Sequence, residues 1–178
     1  VMASYVLEEA DTPVEVFEAC RAFCSEMCDD PDCRDTVIYG GNNWYYAYGK
    51  SSAKEILEDS AYLAEMTESI ENRPFMVMDD GWQIDHSDSY NGGPWRVGNA
   101  DYGDMGELAA QMRAKNVRPG IWFRPLYDHS ADIPAEWRLE RNAEVFDISV
   151  PEVLEHIAQD IRQLGDCLLY TSPSPRDP

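Results

Sequence analysis

An α/β fold built on a parallel sheet is what this sequence predicts, and three observations carry the prediction. Short apolar runs alternate with amphipathic helical stretches, one helix first and then strand–helix three times, as parallel strands joined by crossovers require. The long polar loops follow strands, where parallel sheets keep their ligand sites. No G-x-G-x-x-G turn follows any strand, which weighs against a dinucleotide-binding sheet. A (β/α)8 barrel and an open doubly wound sheet both satisfy the alternation. Asn, Asp, Trp and Arg placed after successive strands favour the barrel. A full barrel takes ~250 residues. The 178 residues here hold about the first three βα units, a partial (β/α)8 TIM barrel truncated before its fourth strand.

Thr12-Pro13-Val14-Glu15 is a capping box with proline at the first helical position. It predicts a helix to about Met27 with Val16, Cys20, Phe23, Cys24 and Met27 on one face. Val37-Ile38-Tyr39 is the first expected strand, running into Gly40-Gly41-Asn42-Asn43-Trp44 and a Tyr45, Tyr46, Tyr48 cluster read as helix–sheet packing. Ser52 to Glu55 forms a second capping box. Its helix reaches about Thr67, with Ile56, Leu63 and Ala64 turned inward and Ala53 and Ala61 flanking them.

Arg73-Pro74 leads into Phe75-Met76-Val77-Met78, an unbroken apolar run like a strand buried on both faces. It stops at Asp79-Asp80-Gly81-Trp82. A long polar loop from Gln83 to Gly103 follows, a length usually functional or disordered. Asp104 caps a third helix whose inner side is Met105, Leu108, Ala109 and Met112. Arg118 to Pro125 is the next strand; a loop from Tyr127 to about Arg141 then precedes Val145-Phe146-Asp147-Ile148. Ser149-Val150-Pro151-Glu152 opens the last helix, with Leu154, Ile157, Ile161 and Leu164 as its apolar stripe.

A hydrophobic content of 44% describes a chain able to bury a core. The 34 acidic and 14 basic residues give a formal charge of −20, a field that repels phosphate backbones and anionic membranes and leaves neutral ligands such as sugars. No apolar run approaches the ~20 residues of a membrane span. Cys20, Cys24, Cys28 and Cys33 lack the spacing of a structural zinc site and read as buried or half-buried free thiols. With Cys167 the count is odd, which fits a reducing, cytoplasmic setting.

Asp79 and Asp80 are the expected ligand-binding residues. Neighbours on a strand point to opposite faces, so the two cannot flank one glycosidic bond as a catalytic pair. At a strand end both can accept hydrogen bonds from adjacent hydroxyls of one ligand, a strong, charge-assisted class. Capping of the following turn and divalent-metal binding are the rival readings. His86, His129 and His156 show no ligand spacing, and His156 sits in a helix of ordinary surface pattern. Trp44, Trp82 and Trp95 fall in loops on the same rim, where flat rings suit the faces of a sugar. Arg124 reads as an ion-pair partner for the acidic rim.

Gly41-Asn42-Asn43-Trp44, Met78-Asp79-Asp80-Gly81-Trp82 and Pro119-Gly120-Ile121-Trp122-Phe123-Arg124-Pro125, in that order, resemble the melibiase-type α-galactosidases of glycoside hydrolase family 36, clan D. The resemblance covers about residues 12 to 166 and implies the N-terminal part of a (β/α)8 catalytic barrel. It makes residues 1–11 a tail or the last strand of a preceding β-sandwich. It further implies retaining hydrolysis of terminal α-galactosides, a galactose-terminated oligosaccharide as partner, no cofactor or metal, and room for an oligomer in the full-length parent. By motif, Asp79 and Asp80 would bind galactose hydroxyls, Trp44 and Trp95 would line the sugar pocket, and Arg141 would contact the sugar. Glu140 stands where the family usually has glycine, and Arg124 where many members have glutamate. The family's nucleophile is the aspartate of a Lys-x-Asp motif on the fourth strand, and its acid/base lies later. Leu164-Gly165-Asp166 resembles the run-up to that strand, after which Cys167 to Pro178 reads as a non-native tail. Both catalytic groups are therefore expected beyond the truncation. A non-catalytic carbohydrate-binding or interaction module is the alternative.

Overall fold

The computed structural model of the chain describes residues 13–26 and 37–166. The tail or sandwich strand expected over residues 1–11, the helix end at Met27, Cys28, Cys33, Cys167 and the tail 167–178 lie outside the described residues. The chain divides into two compact units, with the boundary between Val37 and Ile38. The first contains α1 (Pro13–Glu26). Val16 and Phe17 are exposed on it, and Phe23 is half-buried. Cys20 and Cys24 are free and exposed, against the expectation of buried thiols. Shared helical periodicity put them beside Phe23, but among the described residues no core cluster includes that face.

The second unit runs β1 (Gly40–Asn42), α2 (Trp44–Ala47), α3 (Ala53–Met66), β2 (Phe75–Met78), α4 (Met105–Ala114) and β3 (Arg118–Ile121). A 3-10 turn at Ala135–Trp137, β4 (Arg138–Leu139), β5 (Asn142–Phe146) and α5 (Pro151–Leu164) follow. The strands β1, β2 and β3 form a parallel sheet in chain order, β2 central, as the alternation predicts. Its first strand starts later than expected. Val37 and Ile38 are exposed, and pairing begins where Gly40 meets Phe75. A Cβ at Gly40 would stand 1.8 Å from the Phe75 carbonyl oxygen, so only glycine allows that approach.

Along β2, Met76 and Met78 are buried while Phe75 and Val77 are half-buried. The strand thus alternates instead of burying both faces equally. Met76 and Met78 join Ile56 of α3 and Leu108, Ala109 and Met112 of α4 in the main core. The caps of these two helices lie as expected. Ser52 accepts from the Glu55 amide, and Asp104 Oδ1 from the Glu107 amide at 2.8 Å. On α3, Ala61 is exposed and Ser60 takes the buried place, donating to the Ile56 carbonyl at 2.7 Å.

Beyond β3 the chain departs from a plain βα unit. The strand ends at Ile121, and an antiparallel β4–β5 pair precedes α5. Val153 and Ile157 of α5 pack with Ile133 and Phe146 in a second, smaller core, while Leu164 reaches the first. Leu154 and Ile161, expected on the buried stripe, are 54% and 51% exposed. Asp160 occupies the seam instead, 3% exposed, with Arg96 Nε at 3.2 Å and His156 Nε2 at 3.5 Å. His156 is mostly buried against Trp137 and Phe146, so it is no ordinary surface histidine.

Candidate functional site

Parallel pairing brings the carboxyl ends of β1 and β2 side by side, Asn42 opposite Val77. Residues 42–44 and 79–80 meet there, and side-chain amides join them. Asn42 Nδ2 donates to Asp79 Oδ2 at 2.5 Å. The Asn42 carbonyl oxygen accepts from the Trp44 amide at 2.7 Å. Asn43 Oδ1 accepts from the Asp79 amide at 2.8 Å, and Asp79 Oδ1 from the Asp80 amide at 2.8 Å. Asp79 is half-buried and Trp44 partly exposed, its ring edge-on to Tyr48 with centroids 5.7 Å apart.

Asp80 turns the other way, as alternation demands, and is 5% exposed. Its Oδ1 accepts from Gln83 Nε2 at 2.8 Å and lies 3.8 Å from His86 Nε2. Gln83, itself fully buried, also accepts from the Gly81 amide at 3.0 Å. Gly81 has a φ of +107°, and a Cβ there would stand 2.3 Å from the Gly49 carbonyl oxygen. The turn after β2 can therefore close on the loop after β1 only with glycine at this position.

Between these loops lies a polar cleft of about 460 Å³ lined by Gly49, Ser51, Gly81, His86 and Asn99 among others. At Ser51, which lines it, three buried polar atoms gather: Asn43 Nδ2, Ser51 Oγ and the Tyr102 hydroxyl, which have no well-formed partner among the described residues beyond one another. Burial pushes the Tyr102 phenol above its ordinary value, opposed by the neighbouring Ser51 and Asn43 side chains.

The other expected site residues lie elsewhere. Trp95 is 1% exposed, packed against Trp82, Trp122 and Phe123, so it shows no open ring face. Trp82 is buried as well, its indole donating to the Trp122 carbonyl at 2.9 Å. Arg141 is exposed between β4 and β5, where it lines a separate cleft of about 610 Å³ with Arg138 and Asp147. Arg124 donates to Asn91 Oδ1 at 2.7 Å and stacks over Tyr127, in place of the expected acidic partner. The tyrosines expected to pack are exposed: Tyr45 by 84%, Tyr48 by 62% and Tyr46 by 55%, with the Tyr46 hydroxyl on Asp59. The short α2 buries only Ala47, so its aromatic side chains find no covering face.

Gln83 and the Asn42 bridge are site members that residue patterns did not single out. Asn42 stood in the quoted motif without a role, and Gln83 read as the start of a polar loop. Among the described residues no group of three His, Cys, Asp or Glu side chains could hold a metal ion, and no helix is long and apolar enough to cross a membrane.

No family model and no curated protein sequence matches the chain. Solved structures do. The galactosidase domain of an α-galactosidase–sucrose kinase aligns over 78% of this chain and 21% of its own, at 23% identity and a TM-score of 0.61. The family 36 α-galactosidase AgaA of Geobacillus stearothermophilus aligns over 75% and 20%, at 21% identity and a TM-score of 0.58. The Thermus thermophilus α-galactosidase, solved with p-nitrophenyl α-D-galactopyranoside, aligns over 82% and 32%, at 20% identity and a TM-score of 0.56. The likeness is one of fold, and the chain spans about a fifth to a third of each structure.

Proposed function

We propose that this chain is the N-terminal part of the catalytic barrel of an α-galactosidase-like retaining glycoside hydrolase, carrying the half of the pocket that binds sugar hydroxyls. The carrying observation is the Asp79–Asp80 pair at the end of the central parallel strand, with Asn42 and Asn43 of the neighbouring strand holding Asp79. The fold shared with α-galactosidases supports the substrate class.

Asp79 is the first acceptor for galactose hydroxyls: each of its oxygens keeps a lone pair after taking one protein donor. Asp80, turned inward and held by Gln83, reaches the sugar only if the turn after β2 moves, and Trp44 offers a ring to the apolar face of the sugar. Arg141 and Trp95 join such a pocket only if the loops that carry them move from the positions described above. The parent enzyme would work by double displacement, one carboxylate attacking the anomeric carbon and another protonating the leaving oxygen before activating water. Those two carboxylates are assigned to chain beyond this sequence, so the 178-residue product binds galactose without hydrolysing galactosides.

The test is isothermal titration of the purified chain with D-galactose, alongside an assay with an aryl α-galactoside. Binding in the millimolar range, abolished by Asp79→Ala, with no turnover, is the expected result. Turnover by the unmodified chain that Asp79→Ala abolishes would overturn the division of labour, and no binding at all would overturn the sugar reading.

A further inference from the structure

We propose that Asn42 is a positioning residue that sets the Asp79 carboxylate and the Trp44 backbone as one unit. The inference rests on the sugar-binding reading for its purpose, though not for its geometry. One side chain makes both links. The Asn42 amide nitrogen donates to Asp79 Oδ2 at 2.5 Å, and the Asn42 carbonyl oxygen accepts from the Trp44 amide at 2.7 Å. The other carboxylate oxygen of Asp79 takes the Asp80 amide at 2.8 Å, so the carboxylate is pinned at both ends.

Without a donor at position 42, one end is released. The carboxylate then rotates about its side-chain bonds, and its hold on the Asp80 amide weakens with it. Asn43 cannot substitute, because its carbonyl oxygen holds the Asp79 backbone and its amide nitrogen does not reach the carboxylate. A group held in one orientation before the ligand arrives binds more tightly than one that must be ordered by it. Asn42 also acts only from the end of β1, because the parallel register sets that end beside β2.

Two variants test the role on the full chain. Asn42→Ala removes both links, and Asn42→Asp keeps the shape and the acceptor but lacks the donor while ionised. Hydrogen exchange of the Asp80 amide reads the positioning without any sugar. It should quicken by about tenfold in Asn42→Ala, the scale of one charge-assisted hydrogen bond, while the Val77 amide keeps its rate. Galactose titration reads the consequence. Both variants should bind about tenfold more weakly at pH 7, and Asn42→Asp should regain affinity as the pH falls from 7 and the two adjacent carboxyls come to share one proton, a step their mutual repulsion brings on above the ordinary carboxylate range. A packing role would give no such pH dependence. Unchanged exchange at Asp80 in Asn42→Ala, or equal weakening of Asn42→Asp at all pH values, overturns the proposal. Quickened exchange in a chain whose unmodified form takes up no galactose upholds the positioning and sinks the sugar reading alone.

Discussion

Asp147 is only half-buried, yet its carboxyl is held below the ordinary carboxylate value because Ser149 donates to it twice, first through its hydroxyl at 2.7 Å and then through its amide at 2.9 Å. The charged form is thus favoured in the folded chain. The associated stabilisation is present above the ordinary carboxylate value of 3.8 and is lost as pH falls through the lowered folded one. Ser149→Ala should move the Asp147 titration, followed by carboxyl carbon NMR, back towards the ordinary value. An unmoved titration would mean that the serine is not the cause. Asp147 could not have been read from the sequence as special, whereas Asp79 and Asp80 could, because they end an unbroken apolar run. Gln83 shows why the remainder of the site stayed hidden. Its amide finds Asp80 and the Gly81 backbone through a turn whose shape depends on Gly49, more than thirty residues earlier.

At the level of elements, local signals served where they were local. Ser52 and Asp104 mark the starts of α3 and α4 because a cap bonds to an amide three residues on. The stripe of α5 was misread because hydrophobicity alone cannot show that a charged residue will find partners in a seam. Asp160 does so, with Arg96 reaching it from the loop after β2 and His156 from one turn earlier on the same helix. Asp160→Ala should lower stability by about 1 kcal/mol, since it removes the buried carboxylate that the exposed Arg96 and the half-buried His156 ring both reach. The urea midpoint would read this, and an unchanged midpoint would show that the cluster contributes nothing. The β4–β5 pair escaped notice for a different reason. Arg138 and Leu139 are too few to show alternation, and Arg138 fixes the hairpin through the carbonyls of Asp128, Ser130 and Ala143.

For the whole molecule, the parallel sheet was legible and its surroundings were not. In the sheet described, β1 and β3 each pair on one side only, and Leu154 and Ile161 of α5 meet solvent. Unpaired strand edges and open apolar faces invite association. The charge of −20 opposes it. Sedimentation should therefore show self-association that rises from low salt to 0.5 M salt, as screening shortens the reach of the repulsion to within ~10 Å. A monomer at both salt levels with a sharp thermal transition would mean that the edges are protected.

The loop that follows β2 is tied to the segment beyond β3 at several points: Arg96 to Asp160, the Gly93 amide to the Tyr127 carbonyl, and Tyr90 to His129. Repeating folds of this type invite the picture of interchangeable cassettes, each strand inherited with its own helix. Here the second and third repeats share their fastenings, so they are heritable only together. A chimera that replaces the chain after β3 while keeping the loop before it would strand one half of every fastening. Recombination that preserves folding must carry residues 83–164 as a single block.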